Sequence, residues 1–337
     1  MILAADVGGT NSRLACFPLP RIGRTPLVET TLRTRAYPSL EAMLEEFLGR
    51  HALQITAACF GVAAPVINGR TEPVNLPWPV NTGALQRLLG IESVWLINDM
   101  EAMAYGIPLL PKGSWEALQD GRPDPEGIIG VVAAGTSLGE VMLLREGQRW
   151  RAIASEAGHA DYAPRSALEW ELFAYLRKRF DHVSYARVLS GPGLRHLYEF
   201  LKRRKSRREP RWLTHALARG EASRVISTCA LEGRSSLCAH ALELFVGALG
   251  AESGNLALRL LARGGIYLGG GIAPQILGKL RDGTFARAFT SKGRMAPLLA
   301  TIPVRVILDE RTALYGAAHY GKTLLGRRGR LTAMTSR

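Results

Sequence analysis

Short apolar runs along the chain alternate with stretches in which apolar residues recur at helical spacing. Residues 2–7 and 13–17 read as strands around a tight Gly-Gly-Thr-Asn turn. Residues 40–48 carry helical spacing, and 57–62 form a further strand closed by Ala64-Pro65. A strand at 94–97 leads into Asn98-Asp99 and a short helix at 101–105. Strands alternating with helices predict an α/β fold, and the opening hairpin makes its sheet mixed rather than all parallel.

A Pro/Gly/Asp-rich loop occupies residues 121–127, after which strand signals resume at 128–132 and 140–144. The order strand, Gly-Thr turn, strand repeats the opening of the chain, which suggests a duplication into two related α/β lobes. Pro164 precedes Ser166-Ala167-Leu168-Glu169, a capping box, and Leu168, Leu172, Tyr175 and Leu176 share one face of the helix it opens. Residues 236–261 read as one or two long helices. A strand at 265–268 is followed by Gly269-Gly270-Gly271 and a helix started by Pro274. The last strand is expected at 304–308 and the last helix at 313–325. The organisation expected is a small α/β domain over 1–108 completed by a C-terminal helix at 309–326, a large α/β domain over 109–308, and a basic, frayed tail over 327–337.

Composition changes this picture little. Of 337 residues, 47% are hydrophobic and 21% charged, enough to fill a core. The expectation is no membrane span, no signal peptide and a cytoplasmic location. Cys16, Cys59, Cys229 and Cys238 form no CxxC pair, so reduced, buried thiols are expected rather than a disulfide framework or zinc site. Net charge is +14, from 43 basic and 29 acidic residues, which favours anionic partners. Part of the excess is one block, residues 202–208; it comes after a helix-like stretch and has no interleaved aromatics, so it reads as a solvated face rather than a nucleic-acid site.

The candidate chemistry starts at Asp6-Val7-Gly8-Gly9-Thr10-Asn11. Glycines at positions 8 and 9 let a backbone approach a ligand closely, and their N–H groups with Thr10 and Asn11 suit phosphate oxygens. Asp6 could hold Mg²⁺. The plain alternative is a hairpin whose glycines only satisfy a turn. A second turn, Ala134-Gly135-Thr136-Ser137-Leu138-Gly139, strengthens the phosphate reading, with Gly270 and Gly271 ahead of a helix on the adenosine side. Residues 316–323 fit the Walker A pattern, but within a helical run near the end of the chain, so that match is set aside. Asn98-Asp99 ends a strand, and Glu156 and His159 stand three apart in a Gly-containing loop with Asp161 nearby. Carboxylate, amide and imidazole together suit sugar hydroxyls; for Glu156, His159 and Asp161 taken alone a structural loop is the larger alternative and a metal site the lesser.

These segments, in order, resemble the bacterial ATP-dependent glucokinases. The likeness is carried by DVGGTN at 6–11, LIND at 96–99, AGTSLG at 134–139, SEAGHADYAP at 155–164, HVSYARVLSGPGL at 182–194, GGGIAP at 269–274 and GAAH at 316–319. The Cys-rich zinc motif of the other sugar-kinase group of this fold, the ROK proteins, is not found. The resemblance implies a two-lobed actin-like ATPase (hexokinase-type) fold, with a mixed sheet in each lobe and a cleft between them. It implies phosphorylation of the 6-hydroxyl of glucose with ATP and Mg²⁺, in a homodimer. It makes Asp99 the catalytic base, Asn98, Glu156 and His159 the sugar ligands, and Asp6 the Mg²⁺ ligand. Gly8, Gly9, Thr10, Asn11, Gly135, Thr136, Gly270 and Gly271 would hold the nucleotide.

Two positions depart from the family pattern. Ala186 stands where a glutamate normally contacts the sugar, a loss of roughly 1.5–3 kcal/mol if that contact is charge-assisted. Ser137 stands where the second phosphate turn normally has glycine, which would strain the turn if φ there is positive. They motivate two alternatives: a catalytically weak or inactive sugar sensor on a kinase fold, and a kinase for another hexose.

Overall fold

The computed structural model describes residues 1–337 apart from 20–21, 74, 205–209 and 336–337, and side chains only as far as 326. The tail expected over 327–337 and most of the basic block 202–208 therefore fall outside the side chains described.

The chain walk runs β1 (Ile2–Val7), β2 (Asn11–Phe17), β3 (Val28–Arg33), α1 (Leu40–Gly49), β4 (Ala57–Val62), the short ribbon β5 (Arg70–Thr71) and β6 (Val80–Asn81), α2 (Thr82–Leu89), β7 (Val94–Asn98) and α3 (Asp99–Gly106). It continues with β8 (Trp115–Gln119), β9 (Ile129–Ala134), β10 (Leu138–Glu146) and β11 (Arg149–Ser155), then the helices α4 (Ala167–Arg177), α5 (Gly191–Arg204), α6 (Arg211–Arg219), α7 (Ala222–Leu231) and α8 (Ser236–Leu260). β12 (Gly265–Gly269), α9 (Ile272–Gln275), α10 (Leu277–Leu280), α11 (Thr284–Thr290), α12 (Ala296–Thr301), β13 (Val304–Ile307) and α13 (Thr312–Thr335) complete it. Two compact units result: residues 1–112, 150–154 and 309–337, and residues 113–149 and 155–308.

The first sheet has the order β3-β2-β1-β4-β7, antiparallel through β3, β2 and β1 and parallel through β1, β4 and β7. The second has the order β11-β10-β9-β12-β13-β8, and β10-β9-β12-β13 repeats the same pairing senses. The duplication suggested by the sequence is thus present in the topology, with β8 added at one edge. Both sheets are mixed, as the opening hairpin requires.

Pleating decides which residues meet which helix. In β1, Leu3, Ala5 and Val7 pack with Leu40, Met43, Leu44 and Phe47 of α1 and Leu85 of α2. Ile2 and Ala4, on the other face, pack with Ala102 of α3 and Leu314, Ala317 and Ala318 of α13. In the second unit α8 is buried almost all round, from Leu237 to Ala257, and forms the centre of that core. No helix among the described residues is long and apolar enough to cross a membrane. All four cysteines are free and buried, and burial pushes the Cys16 thiol up to about 12.

Several boundaries differ from the sequence expectation for physical reasons. β2 begins at Asn11 and β10 at Leu138, so both hairpins are tighter than their hydrophobic runs suggest. The helix expected to start at Pro274 starts at Ile272 and lasts one turn; proline is tolerated there because first-turn N–H groups have no helical partner. Of the one or two helices expected over 236–261, one forms, Ser236–Leu260, capped by Leu261 in the left-handed region. The last helix runs on to Thr335, and residues 316–323 lie inside it, which removes the Walker A match. Only half of the capping box forms. Ser166 accepts from the Glu169 N–H at 3.2 Å, but the buried Glu169 carboxylate turns to Arg165, taking its backbone N–H at 2.8 Å and its guanidinium at 2.5 Å. A buried charge is held by an opposite charge in preference to a second cap bond.

Candidate active site

In the first unit, parallel pairing aligns the C-terminal ends of β1, β4 and β7, with Val7 opposite Val62 and Val62 opposite Asn98. In open α/β sheets that edge is where ligands bind. It carries the Gly8-Gly9-Thr10 turn, Ala64-Pro65, and Asn98-Asp99. The turn closes through the Gly8 N–H donating to the Asn11 carbonyl at 3.1 Å. Neither glycine has positive φ. Gly9 is needed for a close approach: a Cβ there would lie 2.5 Å from the Asn75 carbonyl oxygen. Thr10 and Asn11 are exposed.

Asp6, the penultimate residue of β1, is half-buried opposite Arg13 on the neighbouring strand. Burial pushes its carboxyl up to about 6, with the Arg13 charge opposing the shift. No hydrogen-bond donor reaches that carboxylate among the described residues. A half-desolvated, undonated carboxylate is a fit for a hard divalent cation, whose charge would reverse the effect of burial.

Asn98 and Asp99 are placed by the start of α3. The Asn98 Oδ1 accepts from the Met100 N–H at 2.9 Å, and Glu101 reaches back to the Asn98 N–H at 3.1 Å, a complete capping box. The Asn98 Nδ2 donates to the Ala64 carbonyl at 3.2 Å, tying β7 to the loop after β4. Much of this side chain is thus committed to structure, with one amide hydrogen left over. Asp99, the first helical residue, is half-buried and accepts from the Met100 N–H through Oδ1 at 2.9 Å. α3 itself is held by α13: a Cβ at Gly316 would fall on the Ala102 carbonyl, so that glycine in GAAH serves packing.

In the second unit, residues 135–137 form a turn between β9 and β10 of the same length as residues 8–10, closed by the Gly135 N–H donating to the Ser137 carbonyl at 2.9 Å. Ser137 has no positive φ, so the strain anticipated for serine there does not arise. The Gly135 carbonyl accepts from the Gly191 N–H at 2.8 Å, which sets the N-terminus of α5 beside the turn. Gly270 has φ +79°, and a Cβ there would run into the Ala134 carbonyl. Three glycine-bearing segments therefore meet: the turn, the start of α5 and the end of β12. The sequence reading missed the Gly191 contact, whose signal was the Ser-Gly-Pro-Gly run at 190–193. A Cβ at Gly135 or Gly271 would meet nothing within 4 Å, so the protein's own packing does not require glycine there. Open space over a glycine beside a helix N-terminus fits a phosphate.

Glu156 precedes and His159 ends the single 3-10 turn Ala157–His159 after β11, and both are exposed. The turn lies directly on β10, because a Cβ at Gly158 would fall on the Leu138 carbonyl. Asp161 pairs with His182 at 2.9 Å, the Tyr185 N–H donates to the Ala160 carbonyl at 3.0 Å, and the Tyr162 N–H donates to the Val183 carbonyl at 3.0 Å. The segments at 155–164 and 182–189 are thus clamped together. Asp161 faces His182 rather than the other two residues of the lesser metal alternative, and no cluster of metal-ligating side chains occurs among the described residues. Ala186, in the 3-10 turn Tyr185–Arg187, is half-buried, and its carbonyl accepts from the Ser190 Oγ at 2.7 Å.

The glucokinase family model matches residues 3–324 of the chain. The glucokinase of Synechocystis sp. is 40% identical over 94% of this chain and 96% of its own length. Among solved structures, a glucokinase from an Antarctic psychrotroph superposes with a TM-score of 0.79 at 30% identity, over 94% of this chain and 97% of that one. A ROK family glucokinase from Streptomyces griseus, in complex with glucose and AMPPNP, gives a TM-score of 0.63 at 19% identity, over 95% of this chain and 98% of that one. At that identity the likeness speaks to the fold alone.

Proposed function

The chain belongs to the glucokinase family, a hexokinase-type sugar kinase of the actin-like ATPase fold, and we propose that it transfers the γ-phosphoryl group of ATP to the 6-hydroxyl of glucose with Asp99 as the base. The observation that carries this reading is Asp99 at the head of α3, on the same sheet edge as the Gly8–Thr10 turn. Asp99 takes the proton of the attacking hydroxyl. Asn98, Glu156 and His159 orient the sugar's other hydroxyls. Gly8, Gly9, Thr10, Asn11, Gly135 and Thr136 hold phosphate oxygens, and Gly270 and Gly271 lie on the adenosine side. Asp6 would hold Mg²⁺, which neutralises phosphate charge when bound. The likeness to the Synechocystis and Antarctic glucokinases supports the choice of glucose as substrate. Homodimerisation belongs to the same proposal and is read by light scattering in solution.

The test is sugar-dependent ADP release from ATP and Mg²⁺ over a panel of hexoses, with Asp99→Asn beside the wild type. Glucose turnover that collapses in the variant is expected. Turnover confined to another hexose would favour the second reading, which Ala186 motivates. Sugar binding without turnover on any hexose would favour the sensor, from which the unstrained Ser137 turn removes one argument.

A further inference from the structure

Beneath the two clamped turns of the second unit lies a buried polar cluster that the proposed chemistry does not use. Glu140 of β10 and Glu252 of α8 are both fully buried. Neither Glu140 carboxylate oxygen finds a hydrogen-bond donor among the described residues, and the charged group set against it is the Glu252 carboxylate. Glu252 is well served: Arg259 donates to Oε1 at 2.7 Å and Asn255 to Oε2 at 2.8 Å. Asn255 also donates to the Tyr185 hydroxyl at 3.1 Å and accepts from the Lys292 ammonium at 2.5 Å. Two buried carboxylates set against each other can bond only if one carries a proton.

The cluster touches both turns. The Ser155 Oγ donates to the Glu140 carbonyl at 2.8 Å, and Ser155 immediately precedes Glu156. Tyr185 begins the turn that holds Ala186, and its backbone N–H ties that turn to Ala160, next to His159.

We propose that Glu140 and Glu252 share one proton and act as positioning residues for the sugar, the protonated pair holding the turns at 155–159 and 185–187 in the arrangement that binds it. The proposal rests on the reading of Glu156 and His159 as sugar ligands. Burial, reinforced by the Glu252 charge and opposed by Arg259, pushes the Glu140 carboxyl up to about 8, and the proton belongs to the pair. Above that pH the pair loses its proton to solvent, and two negative charges face each other in the core. The other charges around Glu140 are few. Arg259 and Lys292 stand on the α8 side, with the Lys292 ammonium pushed down by burial. The turn at 185–187 brings the Tyr185 phenol, pushed up by burial and by the Glu252 charge. β9 brings none.

The experiment measures KM for glucose and for ATP between pH 6.5 and 9.5 in the full chain, for wild type, Glu140→Gln, Glu252→Gln and Glu156→Ala. One pH unit above the pair's titration about one molecule in ten keeps the proton, so wild-type KM for glucose should rise about tenfold while KM for ATP stays within about twofold. Glu140→Gln should flatten the glucose curve, because the amide cannot ionise; Glu252→Gln should flatten it too, and serves if Glu140→Gln does not fold. A rise that persists in both folded glutamine variants would overturn the proposal and assign the effect to Lys292. A flat wild-type curve would overturn it as well. Failure of the underlying site reading is separate: it is an unchanged KM for glucose in Glu156→Ala, whatever the pH curves do.

Discussion

Restoring a carboxylate at position 186 is the most direct test of how this chain binds its sugar. Ala186 sits half-buried in a 3-10 turn whose geometry is fixed independently of its side chain. Its carbonyl is taken by Ser190, the Tyr185 N–H by Ala160, and the Arg187 N–H by Ser184. Ala186→Glu should therefore leave the backbone in place. A charge-assisted hydrogen bond to a sugar hydroxyl is worth about 1.5–3 kcal/mol. Ordering a glutamate side chain takes back up to about 1.5–2 kcal/mol. The net gain is about 0.5 kcal/mol, which lowers KM for glucose about twofold. Steady-state kinetics at saturating ATP reads it, with KM for ATP as the internal control and a melting curve to show that the turn is intact. An unchanged or higher KM for glucose in a variant that melts with the wild type would refute the reasoning, because the position would then not face the sugar.

Asp99→Asn should lower kcat by about 10²–10⁴ with little change in KM for glucose, as removal of a general base does; a kcat within tenfold of wild type would take the base role from Asp99. Gly135→Ala and Gly9→Ala separate ligand space from packing: the first adds a methyl to open space and should raise KM for ATP at unchanged melting temperature, while the second meets the Asn75 carbonyl and should destabilise by about 1–3 kcal/mol. Asp6→Asn should raise the Mg²⁺ concentration needed for half-maximal rate and abolish an acid limb in kcat/KM near pH 6, since the wild-type carboxyl is protonated below about 6. Glu140 keeps its proton in the fold well above the pH at which the unfolded chain releases it. Stability should therefore fall as pH rises from about 5 to 8, by at most about 1.4 kcal/mol per unit, and melting curves of Glu140→Gln should lose that slope.

The strands that place the candidate site were legible because each is a short apolar run ended by punctuation. β1 ends in Gly8-Gly9, β4 in Ala64-Pro65, β7 in Asn98-Asp99 and β12 in Gly270-Gly271. Edge strand β3 was not: Val28–Arg33 has only half-buried or exposed residues, so no apolar face marks it. The Glu169 turn toward Arg165 was hidden because a capping box and an i,i+4 ion pair draw on one residue. Glu140 and Glu252 were invisible as a pair, since each alone reads as an ordinary charged residue in an element and only the packing of α8 against the second sheet brings them together.

The repeated topology explains why two such different turns share one length. β1-β2 and β9-β10 are equivalent hairpins in sheets with the same pairing senses, and each joins its strands through three residues containing Gly and Thr. The two copies diverge beyond the ends of their parallel strands. After β7 comes Asn98-Asp99 and α3; after β13, the equivalent third strand, comes Asp309 and α13. The Asp309 carbonyl and carboxylate are spent on local bonds, to the Thr312 hydroxyl at 2.6 Å and the Arg311 N–H at 2.9 Å. α13 then packs on α3 through Gly316. One copy of the strand–helix junction thus carries the acid proposed as base, and the other supplies the helix that holds it. A side chain at Gly316 should accordingly disturb Asp99 through α3 and depress kcat together with stability, whereas Asp99→Asn should depress kcat alone.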